Sequence, residues 1–135
     1  MAISDVFKSL GTGFSEEVRE FKSIIGRIRL TSDTTALGAN FRKFGSSFNT
    51  YDFDAFADMA RDFYEEGIMS EDPLFTVLKI SGNRVAIDYN GEVRGIFTHK
   101  GKPLAFFRPD FHQSGYTSKA AELDDFRRGK NVLFS

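Results

Sequence analysis

Two kinds of hydrophobic spacing divide the chain at Pro73. Before Pro73, apolar residues recur every three or four positions, which is the period of a helix with one buried face. After Pro73, apolar and polar residues alternate in short runs separated by glycine and asparagine, a pattern typical of strands joined by tight turns. The pattern therefore predicts helices first and an antiparallel sheet afterwards.

The first third of the chain predicts one long helix and one short one. The stretch 15–30 places apolar residues at helical spacing, behind Ser15 as N-cap and two glutamates in the first turn. A shorter helix is expected over 4–10, ending before Gly11. The next stretch, 31–49, is rich in Ser, Thr, Asn and Gly, and it predicts a loop or a short irregular helix.

The clearest helical pattern in the chain, a stripe of apolar residues at helical spacing, runs from Phe53 to Tyr64. We predict that Thr50 or Asp52 caps this helix and that Gly67 closes it. Acidic residues fall near the opposite face, where a solvated surface is favoured over a metal site. The apolar stripe consists of Phe53, Phe56, Ala57, Ala60, Phe63 and Tyr64, and the acidic face of Asp54, Asp58, Asp62 and Glu65.

The second half of the chain predicts a meander of short strands. A final short helix is expected over 119–128, with Ser118 as its N-cap, and 132–134 can add an edge strand. The four strands are expected over 74–81, 84–89, 92–98 and 104–108, separated by Gly82-Asn83, Asn90-Gly91 and the run 99–102.

These elements predict a single α+β domain over residues 1–135. N-terminal helices are expected to pack on one face of a four- to five-stranded antiparallel meander sheet, followed by a short C-terminal helix. Residues 1–35 are expected to form the N-terminal helical segment of this domain, and residues 36–135 its α+β core.

Composition narrows the possible chemistry. The 135 residues include 16 Phe but no Trp and no Cys, so disulfides, thiolate zinc sites and cysteine nucleophiles are excluded. No apolar run approaches the ~20 residues that a bilayer span requires, and the first ten residues lack the pattern of a signal peptide. We expect no membrane partner, and either a cytoplasmic location or delivery into a target cell without a classical signal peptide.

Charge is distributed unevenly around a net value of −1. Residues 50–75 carry 1 basic and 8 acidic side chains, whereas residues 99–135 carry 7 basic and 4 acidic ones. The near-neutral total argues against non-specific coating of nucleic acid, but the C-terminal excess of cations is compatible with a local basic face.

The familiar nucleotide, hydrolase and metalloprotease motifs (GxGxxG, GxxxxGK[ST], GxSxG and HExxH) do not occur in the chain. Two histidines are too few for a histidine metal site, so we expect no cofactor and no metal. What remains is a set of cationic and hydroxyl groups at strand ends and in loops: Arg42, Lys43, His99, Lys100, Lys102, Arg108, His112, Tyr116, Thr117 and Lys119.

Metal-independent RNA cleavage uses groups of this kind. A 2′-hydroxyl attacks its own neighbouring phosphate while cations stabilise the added negative charge and two further groups exchange protons. The set permits this chemistry without requiring it.

Three stretches resemble the C-terminal toxin domains of bacterial polymorphic and contact-dependent inhibition systems. The run Asn40-Phe-Arg-Lys-Phe-Gly-Ser-Ser-Phe48 is similar to that family's His-Phe-x-Lys-His-Gly-x-x-Phe, and a helix with similar aromatic spacing follows it. Later, Phe106-Phe-Arg-Pro-Asp110 resembles Phe-Phe-Lys-Pro-Asp, and 115–118 is similar to the family's closing Gly-Tyr-x-Thr-Asn segment. Order and spacing are maintained over residues 36–127, so the resemblance implies that the α+β core expected over 36–135 is toxin-like.

Such domains resemble the barnase/EndoU/colicin/RelE group of metal-independent ribonucleases, which have an α+β fold. The resemblance implies phosphate binding by Lys43 and Arg108. It also implies that Thr117 or Ser118 supplies the hydroxyl near the end of the domain. Independently of the resemblance, the neighbouring pair Arg42-Lys43 offers a guanidinium fork and a point charge that can hold a phosphate.

The chain departs from the family where the two motif histidines stand. Asn40 and Phe44 occupy those positions, and neither side chain transfers protons in that role. Catalysis would then pass to His99, His112 or Tyr116, or the scaffold would have lost the reaction.

Two function hypotheses follow. The first is a toxin or effector domain that cleaves RNA as an endoribonuclease, with tRNA as one candidate substrate and a small acidic immunity protein as a partner. The second is a catalytically inactive interaction protein on the same scaffold, an effector, phage or secretion-associated factor that binds another protein through its acidic helix.

Overall fold

The structure, a computed structural model, describes residues 35–130. The helices predicted over 4–10 and 15–30 and the strand predicted over 132–134 lie outside the described residues. The described elements, in chain order, are helix α1 (Ala36–Phe44), a 3-10 helix (Gly45–Phe48), helix α2 (Phe53–Met69), strands β1 (Phe75–Ile80), β2 (Arg84–Tyr89), β3 (Val93–Thr98) and β4 (Pro103–Phe107), and helix α3 (Lys119–Arg127).

The four strands form one antiparallel meander in the order β1-β2-β3-β4, so the predicted α+β class is confirmed. Each strand lies within one or two residues of its predicted range because the alternating pattern and the turn residues mark the strand ends. Asn83 and Asn90 adopt left-handed backbone angles, with φ of 56° and 51°, at the first two turns. Asparagine tolerates this conformation better than most residues do.

The sheet is covered on both faces. Helix α2 packs its phenylalanines on one face, where Phe56, Phe63 and Phe106 are fully buried. On the other face α3 inserts Phe126 beside Ala86, Ile96 and Ala105 in a smaller apolar cluster. The alternation of side chains along β2 and β3 supplies both clusters, because successive residues point to opposite faces.

Helix α1 and the 3-10 helix occupy the region predicted as a loop or short irregular helix. Thr35 caps α1 by accepting a hydrogen bond from the Gly38 amide at 3.3 Å. Asn40 is buried, and its Oδ1 accepts a hydrogen bond of 2.9 Å from the Phe106 amide in β4. Because β4 is an edge strand, α1 covers backbone that would otherwise be open to pairing with another chain.

The prediction that Gly67 closes α2 is wrong. The helix continues to Met69, and Gly67 lies inside it against Ile87 of the sheet. A side chain here would place Cβ only 2.7 Å from Ile87 Cγ2, so glycine permits close helix–sheet packing rather than ending the helix. Of the two predicted caps, Asp52 accepts from the Ala55 amide, whereas the Thr50 hydroxyl donates to the Gly45 carbonyl.

Candidate functional site

The meander places the predicted site residues at two opposite ends of the sheet. The β1–β2 and β3–β4 turns share one end, where His99 lies. The β2–β3 turn and the chain after β4 share the other end, where Arg108 and the following loop lie. The five residues of β4 separate the two ends by roughly 17 Å at the usual rise of a strand. His99 and Arg108 therefore do not share one site.

His99 connects two turns at its end of the sheet. Its Nδ1 lies 3.0 Å from Asn83 Nδ2, and its backbone amide donates to the Asn83 carbonyl at 3.1 Å. The Tyr64 hydroxyl donates to the His99 carbonyl at 3.2 Å. These bonds give His99 a role in turn geometry, and its role in proton transfer stays a prediction.

Arg42 and Lys43 lie on the exposed side of α1. The buried side of that helix carries Leu37, Asn40 and Phe41. Lys43 Nζ lies 5.1 Å from the centre of the Phe44 ring, a weak cation–π contact at the surface.

Arg108 occupies a more restricted environment directly after β4. Its Nε donates to Ser47 Oγ at 2.8 Å, and one terminal nitrogen donates to the Ser47 carbonyl at 3.1 Å. Its guanidinium also lies 4.3 Å from the centre of the Phe48 ring. Two of the three stretches that carry the family resemblance, 40–48 and 106–110, thus meet, but through Ser47, Phe48 and Arg108.

The charge on Arg108 is partly withdrawn from water. Burial lowers the pKa of Arg108, and the negative charge of Glu92 opposes that shift. A guanidinium nevertheless remains protonated in proteins. Arg108 is therefore a permanent, partly desolvated cation, which interacts with an anion more strongly than a fully hydrated surface cation does.

A cavity of about 300 Å³ opens beside Arg108. Two cations and two carboxylates border it, together with apolar and backbone groups. Lys119 Nζ lies 3.1 Å from Glu92 Oε1 at the cavity edge, and both side chains are partly exposed. The complete lining is Gly91, Glu92, Arg108, Pro109, Phe111, Lys119 and Glu122.

A buried charge network supports one side of the cavity. Arg94 donates two hydrogen bonds of 2.7 Å to the carboxylate of Glu122 in α3. It also donates to Asp88 Oδ1 at 2.9 Å, and Asp88 Oδ2 accepts from the Gly91 amide at 2.8 Å. All three charged side chains are buried. The network connects the β2–β3 turn to α3, the two elements that supply Glu92 and Lys119.

The pKa values in this network reflect competition between burial and pairing. Burial raises the pKa of Asp88, and the charge of Arg94 and the Gly91 amide offset that shift only in part. Burial alone would lower the pKa of Arg94, but its hydrogen bond with Glu122 and the charge of Asp88 prevail, so the pKa is raised.

The remaining predicted residues lie in the loop between β4 and α3. The exposed ring of His112 packs against Phe111, with ring centres 4.1 Å apart. The Tyr116 hydroxyl donates to Asp125 Oδ2 at 2.8 Å, and this bond, followed by burial, raises the pKa of Tyr116. A tyrosine held in this way stays protonated and is unsuited to act as a base. Thr117 is exposed just before Ser118, whose side chain caps α3.

Four charged residues near the cavity were not predicted as site residues: Asp88, Glu92, Arg94 and Glu122. Asp88 and Arg94 face each other across β2 and β3, because Tyr89 pairs with Val93 and leaves a three-residue loop. The dipeptide Asn90-Gly91 predicts a hairpin but not this loop length. In the sequence, the pairing of Asp88 with Arg94 is indicated only by their opposite charges at equal distances from the centre of a three-residue loop.

Residues 35–130 contain no group of three or more His, Cys, Asp or Glu side chains arranged to bind a metal ion. Over the same residues, no helix combines the length and the apolar character needed to cross a bilayer. Comparisons with protein-family models, curated proteins and solved structures find no match to the chain.

Proposed function

We propose that the cavity beside Arg108 binds an RNA phosphodiester and that the chain functions as a metal-independent ribonuclease-like toxin or effector domain. The observation that carries this proposal is the environment of Arg108. Its guanidinium is oriented by Ser47, stacked on Phe48 and adjacent to a cavity that a second cation, Lys119, also borders.

The arrangement of charges around the cavity, rather than their sum, favours an anion. Glu122 directs both carboxylate oxygens to the buried Arg94, which it shares with Asp88, so these oxygens are already hydrogen-bonded within the network. Glu92 then opposes two cations, Arg108 and Lys119. Its pair with Lys119 is partly exposed, and such pairs contribute at most about 1 kcal/mol. A phosphate can therefore replace Glu92 as the partner of Lys119 at small cost.

The proposed reaction is an internal transfer at phosphorus. The 2′-oxygen of the ribose attacks the adjacent phosphorus, the bond to the 5′-oxygen breaks, and a 2′,3′-cyclic phosphate forms. The 2′-hydroxyl releases a proton and the departing 5′-oxygen gains one. Arg108 and Lys119 stabilise the added charge on phosphate. His112, which packs against the cavity-lining Phe111, accepts the proton of the 2′-hydroxyl, and the departing 5′-oxygen takes a proton from a water molecule, whose hydroxide then recovers the proton from His112.

The proposal is tested with a labelled RNA oligonucleotide in the presence of a chelator. We expect wild-type protein to yield products ending in 2′,3′-cyclic phosphate, identified by mass spectrometry. Arg108→Gln and Lys119→Gln should each lower the affinity for a 2′-O-methyl oligonucleotide, which cannot be cleaved, by about tenfold. Affinity should also fall as salt rises, since phosphate contacts release counterions.

Arg61→Gln is the matched control, because it removes the same charge from the exposed side of α2. It should leave binding and cleavage unchanged. Equal binding by Arg108→Gln, Lys119→Gln and Arg61→Gln variants of the same folded fraction would overturn the proposal.

A specific observation also favours the second candidate function, a protein-binding role for α2. The side chains Asp54, Asp58, Asp62 and Glu65 are all exposed, and α2 ends in Met69, whose exposed fraction is 82%. Charge reversal of Asp54, Asp58 and Asp62 should then abolish binding of a partner captured by the wild-type protein, while the Arg108→Gln substitution should not.

A further inference from the structure

We propose that the RNA bound at this site is single-stranded, with one base stacked on the Phe111–His112 ring pair while its phosphate contacts Arg108. This inference rests on the proposed function and specifies its substrate class.

The ring pair is placed to meet a base. Phe111 is half-buried and borders the same cavity as Arg108, and the exposed His112 ring lies against it with an angle of 35° between the planes. An accessible aromatic ring presents a π-face on which any nucleobase can stack. The cavity thus offers cations and a stacking surface together, which are the two contacts that one nucleotide requires.

The loop that carries the ring pair is extensively hydrogen-bonded. Asp110 Oδ1 accepts from the His112 amide at 3.0 Å and from the Gln113 amide at 3.3 Å. The Tyr116 amide donates to the Phe111 carbonyl at 2.9 Å, and the Tyr116 hydroxyl connects the loop to Asp125 in α3. A ring pair positioned before the ligand arrives loses little conformational entropy on binding.

Size and stacking geometry exclude a duplex from this arrangement. A volume of about 300 Å³ is at the lower limit of ligand pockets and suits a single nucleotide. In a duplex, neighbouring base pairs already cover both faces of each internal base, so stacking on protein aromatic rings requires an unpaired base. The ring pair therefore selects single-stranded RNA.

The test measures binding of labelled 2′-O-methyl oligonucleotides, which lack the attacking hydroxyl. We expect wild-type protein to bind a single-stranded hexamer at least tenfold more tightly than the same hexamer annealed to its complement. Phe111→Ala should weaken single-strand binding roughly tenfold or more and leave the weak duplex binding unchanged. Phe111→Trp should retain the single-strand preference, because it keeps an aromatic face.

Phe111→Leu separates stacking from packing, because leucine fills apolar space but has no ring. It should lose single-strand binding as Phe111→Ala does, and wild-type affinity in this variant would overturn the inference. Equal wild-type affinity for single strand and duplex would overturn it too. If either of these results is found but Arg108→Gln still lowers the affinity for the oligonucleotide, only the single-strand inference fails and the proposed function stands. If Arg108→Gln leaves that affinity unchanged, the inference and the proposed function both fail.

Discussion

Arg94 and Glu122 form a two-pronged ion pair between the sheet and α3, with both nitrogen–oxygen distances at 2.7 Å. Both side chains are buried. The same guanidinium donates to Asp88, its cross-strand partner, and lies 4.0 Å from the centre of the Phe126 ring. Arg94 therefore joins the β2–β3 turn to α3. These two elements supply Glu92 and Lys119 to the cavity of the candidate site.

Replacing Arg94 with Met should destabilise the domain severely. The substitution keeps an apolar stem but leaves two carboxylates, Asp88 and Glu122, buried without their cation. Breaking a buried pair in this way typically costs about 3–5 kcal/mol. Urea unfolding monitored by circular dichroism measures the loss, and Arg128→Met is the matched control. Arg128 pairs with Asp124 at the surface, where removal should cost less than about 1 kcal/mol. Equal losses in the two variants would contradict the prediction.

The raised pKa of Asp88 predicts a pH dependence of stability. An acid whose pKa is higher in the folded state binds its proton more tightly there than in the unfolded state. Its contribution to stability is fully present below the ordinary carboxyl pKa of about 4 and is lost as pH rises through the folded pKa. We therefore expect the free energy of unfolding of wild type to fall over this window relative to that of Asp88→Asn.

Urea unfolding of both proteins at several pH values tests this expectation. The substitution removes the titration, so the unfolding free energy of wild type minus that of the variant should decrease as pH rises. A constant difference would show that burial does not raise the pKa of Asp88.

Gly67→Ala should destabilise the domain although alanine is the better helix former by about 1 kcal/mol. The new Cβ would lie 2.7 Å from Ile87 Cγ2, and overpacking of this kind costs roughly 1–3 kcal/mol. Combining it with Ile87→Ala removes the clashing methyl group, so the two losses should be less than additive. Thermal unfolding of the four proteins gives the coupling energy, and strict additivity would argue against the contact.

Asn40→Ala should weaken the edge of the sheet at β4. It removes the acceptor of the buried Phe106 amide, and an unsatisfied buried donor costs about 1–3 kcal/mol. Amide hydrogen exchange followed by NMR should show reduced protection at Phe106. Lys43→Ala, on the exposed side of the same helix, is the control and should change stability by less than about 0.5 kcal/mol. Unchanged protection at Phe106 would be the contrary result.

Local signals in the sequence were sufficient for α2, α3 and the four strands, but they left the region of α1 as a loop or a short irregular helix. The period of the phenylalanines predicted α2, and alternation with Asn-Gly turns predicted all four strands, because both patterns depend on neighbours within a few residues. Gly67 misled the prediction for the same reason. Its neighbour is Ile87, which lies 20 positions away along the chain, and only packing reveals that contact.

The same distinction between local sequence signals and tertiary packing applies to the candidate site. The sequence by itself determined the fold class, the helix cap at Ser118, the choice of Thr50 or Asp52 as the cap of α2, and Arg108 as a candidate phosphate-binding residue. Only the tertiary structure decided that Arg108 shares a cavity with Lys119 and Phe111, that His99 lies at the far end of the sheet, and that Arg94 is enclosed by two carboxylates. These relationships depend on loop length, strand register and helix docking, which bring together residues that no local period connects.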